Sequence, residues 1–279
     1  MVSGLVKCNT VVIVPYFGEL PWYFWYFIKS CENNPDFHFL LIGDSFDAVD
    51  CPANVMIVPM NLNELAELIC TKLGFPVQLS KAYKLCDFKP AYGLIFSDFI
   101  ADYQFWAQSD IDVIFGKLSS FLTPDFLSQY DYVSVRHDYT SGCFSVFRNL
   151  DWVNRLFMLS KDYEMVYQSP GNYCFDQCNY TMDYLTNGGD LFKKFTEIES
   201  FTHVVRKEQA GERIRAHFDF ILIEGLPGRI KYDRGRLIYQ NRFEAILYHL
   251  YHFKRVYFPA RKPAIIPKRF RISVSRIYC

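Results

Sequence analysis

No stretch of this sequence is apolar for long enough to cross a bilayer. The longest run, Trp22 to Ile28, falls far short of the roughly 20 residues a spanning helix needs. The N-terminus, Met-Val-Ser-Gly-Leu-Val-Lys-Cys, lacks the basic-then-apolar layout of a secretory leader. No C-x-x-C occurs among the nine cysteines at 8, 31, 51, 70, 86, 143, 174, 178 and 279, and their number is odd. That scatter argues against a disulfide framework or a zinc ribbon and predicts reduced thiols. Cys174 and Cys178 would share a helix face, yet two ligands do not make a zinc site. Net charge is missing too: 30 basic residues balance 30 acidic ones, and charged residues are only 22%. Neither disorder nor wholesale nucleic-acid binding suits that balance. The expectation is a cytoplasmic protein that touches the inner face of a membrane at most peripherally.

What is present is apolar and aromatic. With 51% apolar residues in 279, the chain can bury a substantial core about the size of one large domain. The 27 Phe and 20 Tyr serve that core, and ring faces also pack well against the C–H face of a pyranose. Charge is unevenly spread: from Lys254 to Cys279 there are eight Lys or Arg and no acid, which leaves 22 basic against 30 acidic residues elsewhere. An acidic body with a basic, aromatic tail suits a domain resting on an anionic membrane surface, and equally a tail that is merely solvated. The division expected is one domain over 1–256 and a basic tail over 257–279.

Thr10 to Pro15 is a short β-branched run ended by proline, the pattern of a buried parallel strand. A helix is expected over 22–33, strands over 37–43 and 55–58, and a helix over 62–73 opened by Asn61 as N-cap. This β-α-β-α-β start predicts an α/β fold whose mostly parallel sheet is flanked by helices. Ligands on such sheets bind beyond the carboxyl ends of the strands, where Tyr16, Phe17, Asp44 and Met60 fall. Further on, strands are expected over 132–135 and 143–147, a helix over 152–168, a hairpin over 231–239 turning at Arg234-Gly235, and a helix over 242–251.

Five constellations carry chemistry. In Gln108-Ser109-Asp110-Ile111-Asp112, two carboxylates two residues apart at a strand end point the same way and can share a hard divalent cation. Such an ion, completed by diphosphate oxygens, turns a nucleotide into a good leaving group. His249-Leu-Tyr-His252-Phe-Lys254 offers a metal ligand and a diphosphate contact, or two histidines in the last turn of a helix. Lys84 and Lys89 flank Asp87 and could reach a phosphate, or form an ordinary helix-face ion pair. Asp44 could accept hydrogen bonds from a ribose or a base, or simply shape the turn before Ser45. Asp176-Gln177, after Gly171-Asn-Tyr-Cys-Phe, could supply a base, nucleophile or sugar-hydroxyl acceptor, or cap a helix.

Taken together, Lys84-Leu-Cys-Asp-Phe-Lys89-Pro90, Trp106-Ala-Gln-Ser-Asp110-Ile-Asp112-Val-Ile-Phe-Gly116 and His252-Phe-Lys254-Arg255 resemble the layout of GT-A-fold glycosyltransferases. The similarity is to an uncharacterised bacterial group from polysaccharide-synthesis clusters, distantly like glycogenin-type and lipopolysaccharide galactosyltransferases, and covers about 10–256. The resemblance implies that Asp110 and Asp112 bind Mn²⁺ or Mg²⁺ and the donor ribose, with His252, or else His249, as third ligand. It implies a diphosphate contact from Lys254, nucleotide contacts from Tyr16, Phe17, Asp44, Lys84 and Lys89, and Asp176-Gln177 with Ser141-Gly142-Cys143 bordering sugar and acceptor. The late segment departs from the fuller His-x-x-Gly-x-x-Lys-Pro-Trp pattern of the glycogenin-like enzymes. The expected activity is transfer of a hexose, galactose among the candidates, from a UDP-sugar to a saccharide or lipid-linked saccharide, with retention. Two alternatives stay open: a haloacid-dehalogenase-like phosphatase using the D-x-D, and a non-catalytic carbohydrate-binding protein.

Overall fold

The computed structural model describes residues 9–46, 49–259 and 265–278. Its first strand, β1 (Thr10–Pro15), is buried almost throughout. Side chains alternate: Val12 and Val14 join one apolar core, and Val11 and Ile13 the other. Strand β2 (His38–Gly43) divides in the same way, with Phe39 and Leu41 on one face and Leu40 and Ile42 on the other. A sheet apolar on both faces must be covered on both. Helix α1 (Phe24–Glu32) covers the first face through Phe24 and Phe27, and helix α2 (Leu62–Leu73) the second through Leu65 and Ile69. Asn61 caps α2 as expected. Its side chain accepts from the N–H groups of Asn63 and Glu64, and the Glu64 carboxylate accepts from the Asn61 N–H. Such a reciprocal cap contributes about 1 kcal/mol.

The next strands are β3 (Val55–Pro59), β4 (Phe105–Ser109), β5 (Val113–Phe115), β6 (Tyr132–Ser134), β7 (Phe144–Arg148) and β8 (Ala216–Phe218). Seven form one sheet in the order β3-β2-β1-β4-β7-β6-β8. All run parallel except β7, which opposes both β4 and β6. This is the mixed α/β, mostly parallel architecture expected from the sequence. The chain steps outward from β1 to β3, then returns to place β4 on the other side of β1. Such a reversal opens a crevice beyond the carboxyl ends of the two central strands.

Two expected helices differ. In place of one helix over 152–168 the chain forms Asp151–Asn154, a 3-10 turn at Leu156–Leu159, and Tyr163–Gln168. The break lies where the Ser160 hydroxyl donates to the Glu199 carbonyl at 2.6 Å and the Lys161 N–H to the Glu199 carboxylate at 2.9 Å. Those tertiary bonds replace the helical ladder. Cys174 and Cys178 also lie outside any helix, in a turn where Cys174 has a φ of 52°.

The stretch 242–251 is not helical. It forms β12 (Phe243–Ala245) and β13 (Leu247–His249), after β9 (Leu222–Ile223), β10 (Ile230–Asp233) and β11 (Arg236–Tyr239). Strand β13 lies between β5 and β9 in a three-stranded sheet, and β12 belongs to a second, five-stranded one. Hydrophobic spacing over so short a run serves either period, and long-range pairing decides. The expected hairpin is present, with Arg234 and Gly235 at φ of 48° and 92° in the turn, the primed geometry that twisted strands prefer. The basic segment beyond 257 contributes β14 (Arg269–Ile272), paired with β10, and β15 (Ile277–Tyr278). Among the described residues no helix is long and apolar enough to cross a membrane.

Candidate functional site

Strand β4 ends at Ser109 and delivers the Asp110-Ile111-Asp112 turn into the crevice. Ile111 packs into the core, and Asp110 and Asp112 both line a cleft of about 340 Å³. Strand β13 pairs antiparallel with β5 so that His249 sits opposite Val113, and the Leu250 N–H donates to the Asp112 carbonyl at 2.8 Å. That register sets the imidazole Nε2 3.6 Å from Asp112 Oδ1. One ligand atom from each of Asp110, Asp112 and His249 lies within 4.8 Å of the others. Two carboxylates and an imidazole at this spacing fit a divalent cation that keeps further positions for oxygen donors.

Lysines approach from two sides. Lys254, in the 3-10 turn after β13, lies 2.7 Å from Asp112 Oδ2. Lys89, in a 3-10 turn before β4, lies 2.5 Å from Asp110, donates to the Gly142 carbonyl at 2.6 Å, and stands 3.8 Å from Asp176. Burial disfavours the Asp112 anion, but His249 and Lys254 outweigh it and hold this carboxyl well below the usual range. Burial likewise disfavours the charged imidazole of His249, yet Cys143, Asp112 and Glu224 push its pKa well up.

Behind the cleft, Asp176 is buried and neither carboxylate oxygen has a hydrogen-bond partner among the described residues. Burial raises its pKa to about 7; Lys89 opposes the shift, while Asp87 and Asp110 add to it. A carboxyl raised in the folded state is unpenalised below its ordinary pKa and destabilises the fold as pH climbs toward the raised value. Asp176→Asn removes that ionisation. The stability of the variant relative to wild type should therefore rise between pH 3.8 and about 7 and stay level above, measured by urea unfolding in the presence of a chelator. A difference independent of pH would refute the burial account.

The structure brings together Tyr16, Phe17, Lys89, Asp110, Asp112, Gln177 and Lys254 around one cleft, with Asp176 immediately behind. Three other residues named from the sequence do not reach it. Lys84 is buried against Asp87 at 2.8 Å and donates to the carbonyls of Val166 and Gly171 at 2.7 and 2.5 Å. Its ammonium is committed to the fold. Asp44 is exposed beside the cleft and accepts from the Gly18 N–H at 3.1 Å, which is the turn-shaping role. His252 is exposed and lies outside the lining, while His249 is the histidine that lies beside Asp110 and Asp112.

Sequence reasoning did not single out Arg136 and Glu224. Glu224 lies 3.3 Å from His249 Nδ1 and pairs with Arg136, which Asp138 grips through two bonds of 3.0 and 2.7 Å. Both follow short apolar runs, Tyr132-Val-Ser-Val135 and Ile221-Leu-Ile223, so the strand-end logic that marked Asp44 would have found them. At the mouth of the cleft Tyr83 and Tyr251 are 69% and 40% exposed.

The fold and the cleft define an α/β protein with a cation-competent acidic site where the strand order reverses. Residues 12–278 match the model of DUF6625, a family of unknown function, and the chain belongs to that family. No curated protein matches it. Among solved structures, the galactosyltransferase LgtC, in complex with donor and acceptor sugar analogues, is similar at 12% identity and a TM-score of 0.34. That match covers 58% of this chain and 66% of the LgtC chain. A likeness so slight carries no argument for the site.

Proposed function

We propose that this chain is a metal-dependent glycosyltransferase acting on a nucleotide-sugar donor, with a UDP-hexose as the donor class and a saccharide or lipid-linked saccharide as acceptor. The observation that carries the reading is the pairing of β13 with β5, which gathers His249 and Lys254 around the Asp110/Asp112 carboxylates. Asp110, Asp112 and His249 would hold Mn²⁺ or Mg²⁺, which supplies charge neutralisation for a departing diphosphate. Lys254 and Lys89 carry positive charge at the same place, and Tyr16 and Phe17 offer ring faces to a base at the end of β1.

In the reaction the anomeric C–O bond to the diphosphate breaks and an acceptor oxygen bonds to that carbon. Among the lining residues each carboxylate is already engaged, Asp110 by Lys89, Asp112 by Lys254 and Glu224 by Arg136 and His249. In this reading the acceptor proton passes to the departing diphosphate on the same face, and the product keeps the donor's anomeric configuration. Gln177 lines the cleft and would touch the sugar, with Asp176 buried behind it.

The test is release of UDP from a panel of UDP-sugars with Mn²⁺ present and absent. Metal-dependent release with one donor supports the reading. Prompt phosphate release from generic phosphate esters would overturn it in favour of a phosphatase, and indifference to UDP and Mn²⁺ would favour a non-catalytic protein. A finer prediction concerns Gly142. A Cβ there would lie 2.5 Å from Gln177 Nε2 and 2.8 Å from Asp176 Oδ2, both flexible side-chain ends. Gly142→Ala is expected to lower turnover about tenfold or more by misplacing Gln177, while the melting temperature falls only slightly. Unchanged turnover would remove Gln177 from the mechanism.

A further inference from the structure

We propose that Cys143, Glu224 and His249 form a second cation position, suited to a thiophilic divalent ion such as Zn²⁺, whose occupancy excludes a hard ion from the Asp110/Asp112 pair. One ligand atom from each of the three lies within 4.8 Å of the others. A thiolate, an imidazole and a carboxylate with a fourth position left open are a donor set tetrahedral zinc accepts. All three residues line the cleft, so that fourth position faces it.

The ligands are held from behind. Glu224 is fixed by Arg136, itself gripped by Asp138, and Arg136 lies 4.4 Å from the Tyr139 ring centroid. Cys143 is buried, with its sulfur 3.4 Å from the Ser141 hydroxyl. Outer contacts of this kind orient metal ligands and sustain their affinity. The Cys143 carbonyl also accepts from the Asp110 N–H at 3.1 Å, which ties one residue of each donor set to the other through the backbone.

The two positions share one imidazole through opposite nitrogens. Nε2 is 3.6 Å from Asp112, and Nδ1 is 3.3 Å from Glu224. A neutral imidazole has one lone pair for a metal and one N–H. An ion on Nε2 leaves Nδ1–H to donate to Glu224. An ion on Nδ1 leaves Nε2–H pointing at Asp112, and the carboxylate pair loses its third ligand. On binding, the Cys143 S–H bond breaks, the proton goes to solvent and the sulfur bonds the ion. No electron is transferred. Hard carboxylate oxygens favour Mn²⁺ or Mg²⁺ and sulfur favours Zn²⁺, so the identity of the available ion sets which position fills.

The exclusion rests on the hard-ion reading above; the thiophilic position does not. Co²⁺ added to the reduced full chain is the probe, since thiolate ligation gives an intense near-ultraviolet charge-transfer band. The band is expected in wild type, abolished by added Zn²⁺, lost in Cys143→Ser and retained in Cys86→Ser. Glu224→Gln, close in volume, should weaken Co²⁺ binding about tenfold or more, which keeps the test valid if Cys143→Ser misfolds. Paramagnetic resonance of Mn²⁺ reads the exclusion: one equivalent of Zn²⁺ should free bound Mn²⁺ from wild type, whereas Cys143→Ser, where Zn²⁺ acts only by direct competition for the carboxylate pair, should need a larger excess, and equal excesses would overturn the exclusion. No band in wild type, or a band that survives Cys143→Ser, would overturn the site. Mn²⁺ that stays bound while the thiolate is ligated would overturn the exclusion. A chain that shows the band and binds no Mn²⁺ upholds the thiophilic position and overturns the hard-ion reading instead.

Discussion

Asp112→Ala is expected to lower metal-dependent turnover by about 10³-fold, close to the loss of a whole electrostatic element of catalysis. The carboxylate is nearly inaccessible to solvent and accepts from Lys254 at 2.7 Å while facing the His249 imidazole. Its removal takes one hard ligand from the ion and leaves two basic groups facing each other. Asp112→Asn keeps the shape and loses the charge, so it should share most of the defect. Asp98→Ala is the control, since its pairing with Lys72 is on the surface and the Asp98 side chain is 75% exposed. Exposed pairs of this kind contribute about 1 kcal/mol or less and touch no donor. Initial rates over a Mn²⁺ titration separate the two cases. Comparable small losses from Asp112→Ala and Asp98→Ala would remove the metal assignment.

Lys84→Met is expected to cost about 3–5 kcal/mol of folding stability, because it strands a buried anion. Asp87 is fully buried, and besides Lys84 it accepts from the Tyr173 N–H at 3.0 Å and the Phe175 N–H at 2.8 Å. Lys84 in turn satisfies the carbonyls of Val166 and Gly171. This pair staples the segment that leads into Asp176-Gln177, so turnover should fall with stability. Urea unfolding of Lys84→Met, Asp87→Asn and the double variant gives the coupling. A loss under about 1 kcal/mol would mean the pair is dispensable.

The sheet was legible because its strands are short, β-branched and punctuated, as in Thr10 to Pro15, and a strand apolar on both faces has few places to go. Asp110 and Asp112 stood out because their spacing suffices to define their direction. His249 and Lys84 were harder for one reason. Their roles come from partners distant in sequence, Val113 for the first and Gly171 for the second, and no local pattern encodes such a register. Lys84 looked like a phosphate contact since a lysine near an aspartate reads alike on a surface and in a core. Glu224 and Arg136 follow short strands, but their place at the site comes from pairing with each other and with His249, contacts 88 and 25 residues apart that no local pattern encodes.

The pairing of β13 with β5 also sets when the site comes into being. Asp110 and Asp112 emerge early in synthesis, but His249 and Lys254 follow nearly half a chain later. A nascent chain can complete the β3-β2-β1-β4 half of the main sheet and still have no cation site. Closing so distant a contact is slow compared with local pairing. Once in place, β13 buries Leu247 and Tyr248 in the same core as Val12 and Phe39, so the contact that forms last is held by the core it completes. Metal affinity should then persist on warming until the fold itself is lost.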